Sequence, residues 1–306
     1  MIKVVERCLA SGDGMHRVYG KIYIPDGEIK GLFQVVHGMA DHIGRYDEFM
    51  TALARKGFVA FGEDHVGHGK TARNEFELGF FAHKSGYKLA VNDSHAFAEE
   101  VRKEFPNKPL VLLGHSMGSF MARLIAAWYP KSVDALIIMG TGGKNPAAPV
   151  GIALASVICL VFGDMHFSKL IKKMAFGKYN DRTEKKTEFD WLATDFTLVE
   201  KYRNDRRAGF DFTVSGMRDL IKMNFASNQS RWYRSMPDIP VLIVSGTEDP
   251  VGSYGKGPTE ISEKLQQRGL SDVTLKLYEG ARHEILNDFC RKKTYKDIID
   301  WSLRRV

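Results

Sequence analysis

A chain of 306 residues with 44% hydrophobic content buries a full core, enough for one large domain or one domain with a sizeable insertion. Charged residues at 26% and aromatics at 11% exclude a disordered or low-complexity polypeptide. Much of the +7 net charge falls between residues 145 and 235, where fifteen Lys/Arg meet ten Asp/Glu; this reads as a solvated surface, with an anionic interface as the alternative.

Residues 2–10 and 17–25 read as two opening strands separated by the turn Ser11-Gly12-Asp13-Gly14. Leu32–Val36 is a short apolar strand ending at His37-Gly38. Helical spacing of Phe49, Leu53 and Ala54 predicts a helix over 45–56, stopped by Gly57. Phe58–Phe61 is the next strand, and Asp64-His65-Val66-Gly67-His68-Gly69 its exit loop. An amphipathic helix follows over 85–105, halted by Pro106. Leu110–Leu113 is a continuous apolar strand of the buried parallel type, running into Gly114 and a helix over 116–129. Ala135–Met139 is a further buried strand. The alternation predicts an α/β fold: a mostly parallel sheet with helices on both faces.

That rhythm breaks after Gly142-Gly143. Residues 145–235 are helical in character and supply no strand. Strands return at 241–244 and 273–278, with helices over 259–268 and 291–305. The core domain is therefore 1–144 with 236–306, and 145–235 is an insertion between two strands of one sheet. The longest apolar run, Val150 to Phe162, is shorter than the roughly 20 residues that span a bilayer. No signal peptide is read at the N-terminus. Cys8, Cys159 and Cys290 form no CxxC and read as three buried thiols; together these features give a cytoplasmic expectation.

A serine hydroxyl attacks a carbonyl only when a base takes its proton, and it must stand clear of the backbone. Gly114-His115-Ser116-Met117-Gly118, between an apolar strand and a helix, meets the second requirement and makes Ser116 the candidate nucleophile. The partners should follow in the order acid, then histidine. Asp249 lies in the loop after 241–244 and His283 in the loop after 273–278, with Glu248 the competing acid. Loops at the C-terminal ends of parallel strands share one edge, so the three converge. His37-Gly38-Met39 occupies the oxyanion-loop position, and the backbone N–H groups of Met39 and Met117 are the expected donors.

Other patterns fail. Gly69-Lys70-Thr71 lacks the first glycine of a P-loop, His283-Glu284 lacks the second histidine of a zinc protease, and Ser253–Lys256 has no partner motifs. His37, His42, His65 and His68 lack ligand spacing. No metal and no cofactor is expected.

His37-Gly38-Met39-Ala40-Asp41-His42 with Arg45-Tyr46, Asp64–Gly69, Gly114–Gly118, Asp249-Pro250-Val251 and His283-Glu284 together resemble the lysophospholipase and monoacylglycerol lipase family of α/β hydrolases. One departure is Asp41, where the family usually carries Glu. The resemblance implies the α/β-hydrolase fold, with 145–235 as a helical cap lining an acyl pocket. It also implies a serine ester hydrolase acting through an acyl-enzyme on a monoacylglycerol or lysophospholipid. A small-ester carboxylesterase, a serine aminopeptidase or an acyltransferase would use the same triad; a binding protein on this fold is the non-enzymatic alternative. The run 151–162 is apolar nearly all round, which favours a buried cap helix. The alternative, with Lys169, Lys172 and Lys173 beside it, is transient contact with a membrane surface. A nucleic-acid partner is not expected, and the oligomeric state is not legible.

Overall fold

The computed structural model describes residues 1–306. Eight strands form one sheet in the order β1-β2-β4-β3-β5-β6-β7-β8. β1 (Lys3–Ala10), β2 (Arg17–Ile24) and β4 (Phe58–Glu63) pair antiparallel, so the sheet opens with a hairpin. From β3 (Gly31–Val36) and β4 through β5 (Leu110–His115), β6 (Ala135–Met139), β7 (Val241–Gly246) and β8 (Val273–Tyr278) every pairing is parallel. This is the α/β-hydrolase arrangement.

The two-residue period of a strand sorts the core into two layers. Phe33, Val35, Val111, Leu113, Ile137 and Val244 face α1 (Asp47–Ala54) and α10 (Arg291–Leu303). Their neighbours Leu112, Leu136, Ile138 and Ile243 face α2 (Gly86–Glu104), α3 (Met117–Trp128) and α9 (Lys256–Gln267). Strands covered on both sides need apolar residues at every position, which explains their continuous apolar runs.

Several boundaries and burials differ from expectation. The helix expected over 45–56 is a 3₁₀ turn at Ile43–Tyr46 followed by α1, and Gly57 (φ 97°) closes it. The helix expected from 116 begins at Met117, because Ser116 is not helical. The helix expected from 259 begins at Lys256, behind Gly255 at φ 86°. Cys159 and Cys290 are buried but Cys8 is exposed, since the edge strand β1 has no layer over its outer residues.

Between β6 and β7 the chain forms α4 (Ala148–Phe162), α5 (Lys169–Phe176), a 3₁₀ turn at Asp190–Leu192, α6 (Phe196–Arg203), α7 (Val214–Ser227) and α8 (Ser230–Ser235), without a strand. The expectation of a buried apolar helix at 151–162 is overturned. α4 packs on α7 and buries only a narrow stripe, Ala148, Ala155 and Cys159. Leu160, Val161 and Phe162 are exposed. An apolar helix exceeds what one neighbour can cover. No helix is long and apolar enough to cross a membrane.

Candidate active site

Ser116 sits at φ 55° and ψ −120°, a conformation L-residues resist. The flanking glycines make it feasible. A Cβ on Gly114 would lie 2.1 Å from the Gly118 carbonyl oxygen, and one on Gly118 would lie 2.1 Å from the Val36 carbonyl oxygen. The turn is fastened by the Ser116 N–H donating to the Met139 carbonyl at 2.9 Å. Ser119 Oγ donates to the Ser116 carbonyl at 2.5 Å and meets Thr141 Oγ1 at 2.8 Å. The hydroxyl of Ser116 faces a cavity of about 700 Å³.

Met39, Met117 and His283 line the same cavity, and Asp249 lies behind His283. His283 Nδ1 and Asp249 Oδ1 are 3.0 Å apart. The carboxylate is itself fixed, accepting the Val251 N–H at 2.9 Å and the Ser245 hydroxyl at 3.2 Å. Both residues are buried, so the pair is shielded from water. Glu248, the competing acid, is only half-buried and reaches toward Arg182 at 3.6 Å. Gly38 packs against Ser116, where a Cβ would lie 3.2 Å from the serine Cβ. The Met39 and Met117 N–H groups donate to no protein acceptor among the loop, turn and cap hydrogen bonds. Two free amides beside an elevated serine, with a bonded His–Asp pair on the same wall, are the parts an acyl transfer requires.

The imidazole of His283 is enclosed by three neighbours. The His115 ring lies 4.7 Å away and the Trp191 indole 5.0 Å away, centroid to centroid. Gly140 (φ 58°) forms the third side, where a Cβ would come within 3.1 Å of the ring. Burial, with His283 nearby, draws His115 down to about 4, so it is neutral at pH 7. His115 Nδ1 meets the Tyr46 hydroxyl at 2.9 Å, and that hydroxyl donates to Asp41 Oδ2 at 2.9 Å. Trp191 belongs to the helical segment between β6 and β7. The same segment accepts the N–H of Glu284 at the Leu192 carbonyl, at 2.7 Å.

Under this layer lies a buried ion cluster. Arg45 donates to Glu284 Oε1 at 2.8 Å and Oε2 at 2.6 Å, and to Asp41 Oδ1 at 3.0 Å. The Tyr202 ring covers the guanidinium at 4.7 Å, and its hydroxyl donates to the Ala40 carbonyl at 2.9 Å. Burial opposes ionisation of Asp41 and Glu284, but Arg45 outweighs it and holds both below the usual carboxylate range. The cluster ties the 37–46 segment to the histidine loop. Asp64 ties the other side, accepting the N–H groups of Ile43 and Lys70 at 2.7 Å each.

All five expected site residues gather around the one cavity or directly behind it. What the sequence did not assign is the support: Arg45, Tyr46, His115, Glu284, Trp191 and Tyr202. Arg45 and Glu284 are 239 residues apart. Their only signal was their place in the quoted motifs. The His37 and His65 rings stack at 3.9 Å inside the core, a packing role.

The family described as "Serine aminopeptidase, S33" (Hydrolase_4) matches residues 27–289. The monoglyceride lipase of Rattus norvegicus is 26% identical over 305 residues, spanning 97% of this chain and 90% of its own length. The monoacylglycerol lipase of Mycolicibacterium smegmatis is 26% identical over 313 residues, spanning 97% and 96%. Among solved structures, a thermostable carboxyl esterase from Bacillus coagulans, in complex with glycerol, superposes with a TM-score of 0.94. It is 31% identical, and the match covers 100% of this chain and 99% of that one.

Replacing Arg45 by Met strands two buried carboxylates, and a loss of about 3–5 kcal/mol in unfolding free energy is expected. The sign with pH follows from their depressed titration. Their contribution is present above about pH 4 and is lost as pH falls through the lowered folded values. Urea unfolding at pH 7 and at pH 3 checks this: the gap between native and Arg45→Met proteins should shrink in acid.

Proposed function

The chain belongs to the serine aminopeptidase S33 family of α/β-hydrolase serine hydrolases, and within it we propose a monoacylglycerol lipase that works through Ser116, His283 and Asp249. In this reading Ser116 Oγ attacks the ester carbonyl while His283 Nε2 takes its proton. Asp249, bonded to Nδ1, fixes the tautomer and stabilises the imidazolium. The Met39 and Met117 N–H groups receive the oxyanion. His283 then protonates the leaving glycerol oxygen, and an acyl-enzyme remains on Ser116. Water, deprotonated by the same nitrogen, releases the fatty acid.

The cavity carries the choice of substrate. Phe120, Phe176, Phe210, Phe212 and Leu220 are among the side chains that line it, which favours an acyl chain over a peptide. Similarity to the rat monoglyceride lipase and the mycobacterial monoacylglycerol lipase supports the same reading. We also propose that the 145–235 segment is the cap over this cavity, and that its outer face rests transiently on lipid. Leu160, Val161, Phe162, Phe167, Leu170 and Met174 are exposed there, with Lys169 and Lys173 beside them.

Four measurements test this. A fluorophosphonate probe should label Ser116 in the folded protein, and His283→Ala should lower kcat by roughly four to six orders of magnitude; retained activity would identify another base. Across p-nitrophenyl esters from acetyl to palmitoyl, with monoacylglycerol and lysophosphatidylcholine alongside, kcat/KM should peak at a long-chain monoacylglycerol. Confinement to acetyl esters sinks the lipid reading, and preference for lysophosphatidylcholine replaces the head group. In flotation with anionic phosphatidylglycerol vesicles, the native chain should rise with the lipid, and the double variant Leu160→Ser, Phe162→Ser should stay behind.

A further inference from the structure

Seven residues beyond Ser116 on α3, Arg123 is fully buried and pairs with no carboxylate. A buried cation without a counter-ion is unfavourable, and its retention calls for a reason. Burial draws its guanidinium down to about 10, which leaves it charged at neutral pH. The Tyr233 hydroxyl and the Glu260 carboxylate favour its charged form, and its other close contacts are with neutral groups. Nη2 donates to the carbonyl of Ser227, the last residue of α7, where the helix dipole is negative. The Trp232 ring covers the guanidinium at 4.2 Å, and Trp232 Nε1 donates back to the Arg123 carbonyl at 2.6 Å.

The same Nη2 donates to Asn228 Oδ1 at 3.1 Å. The amide nitrogen of Asn228 then donates to the Gly142, Gly143 and Asn224 carbonyls at 3.4, 3.3 and 2.9 Å. Asn224 Nδ2 donates to the Gly143 carbonyl as well, at 3.2 Å. Gly142 and Gly143 lie where the chain leaves the sheet after β6. Asn224 and Asn228 lie where it prepares to return to β7. Both crossings are therefore bound to α3, and Gly142, Gly143 and Asn224 line the active-site cavity.

Arginine has only donors, so it admits the Asn228 amide in one orientation, oxygen toward the guanidinium. That orientation alone points Nδ2 at the glycine carbonyls. Without Arg123 the amide oxygen loses its buried donor, and only the three carbonyls on Nδ2 are left to hold the side chain. We infer that Arg123 is a positioning residue for the acyl cavity, fixing through Asn228 the wall of Gly142, Gly143 and Asn224 and with it the acyl length accepted. The inference rests on the ester-hydrolase reading above and extends it to specificity.

The test is a KM-against-kcat comparison on p-nitrophenyl laurate and p-nitrophenyl butyrate for Arg123→Met, Arg123→Lys and Asn228→Ala. For laurate, KM should rise roughly tenfold in Arg123→Met and Asn228→Ala, while kcat/KM on butyrate stays within about twofold. Arg123→Lys, still a donor-only cation, should recover most of the laurate affinity. The double variant Arg123→Met, Asn228→Ala should be no worse than either single one. Equal losses on both esters, or no change on laurate, overturn the inference. Should Arg123→Met fail to fold, the uncharged change Asn228→Ala decides it alone. Fluorophosphonate labelling keeps the outcomes separable: unlabelled native Ser116 defeats the hydrolase reading, whereas labelled protein with unaltered laurate KM defeats only the role of Arg123.

Discussion

The backbone at Ser116 is held at φ 55° and ψ −120°, a conformation that costs on the order of 1–3 kcal/mol. Much of the molecule can be understood as what keeps that turn from relaxing. β5 delivers the chain into it from the middle of the sheet, and α3 draws the chain away at once. Gly114 and Gly118 let backbone meet backbone where any side chain would intrude, and Gly38 lets the loop after β3 press against the serine. Five parallel pairings hold the strand ends that carry these loops along one edge. A free peptide of the same sequence would have no reason to adopt this geometry.

A second layer of constraint aligns loops that the sheet only brings near each other. Arg45 grips Glu284, one residue past the proposed general base, and Asp41, two residues past the proposed oxyanion donor Met39. Tyr46 and His115 extend that network beneath the imidazole. A buried ion pair adds little stability over an apolar substitute, so its value lies in register. The bidentate contact fixes the direction of two loops at once, which a patch of leucines would leave free to slide. Tyr202 and Trp191 bring the helical segment into the same network. The helical residues that line the cavity and the proposed catalytic residues therefore share supports.

Much of this was readable in the sequence, for an identifiable reason. A nucleophile turn, an acid loop and a histidine loop each announce themselves locally, as an apolar strand followed by small or polar residues, and parallel topology supplies the convergence. Ser116, Asp249, His283 and Met39 were expected on such grounds, and the fold gathers them around one cavity or directly behind it. Arg45 and Glu284 were not assigned a task, because their meaning is a pairing across 239 residues and no local pattern encodes it. The exposure of α4 was misread for a related reason. An all-round apolar helix has no polar face to say which side is open, and only the neighbour, α7, decides that. Cys8 was misjudged because burial was inferred from residue type, whereas an edge strand leaves its outer residues bare.

The pairing of β6 with β7 has a further consequence. Leu136 and Val241 are direct partners in adjacent strands, although the whole helical segment lies between them in the chain. Closing such an excursion costs only logarithmically with its length, about 0.6 kcal/mol for each doubling. The sheet is thus nearly indifferent to how many residues are spent between these two strands, provided both ends stay anchored. Substrate range and bond-breaking chemistry can then diverge at different rates over evolutionary time. New helices can be tried above an unchanged sheet, with the anchors at Gly142 and Asn228 as the splice points.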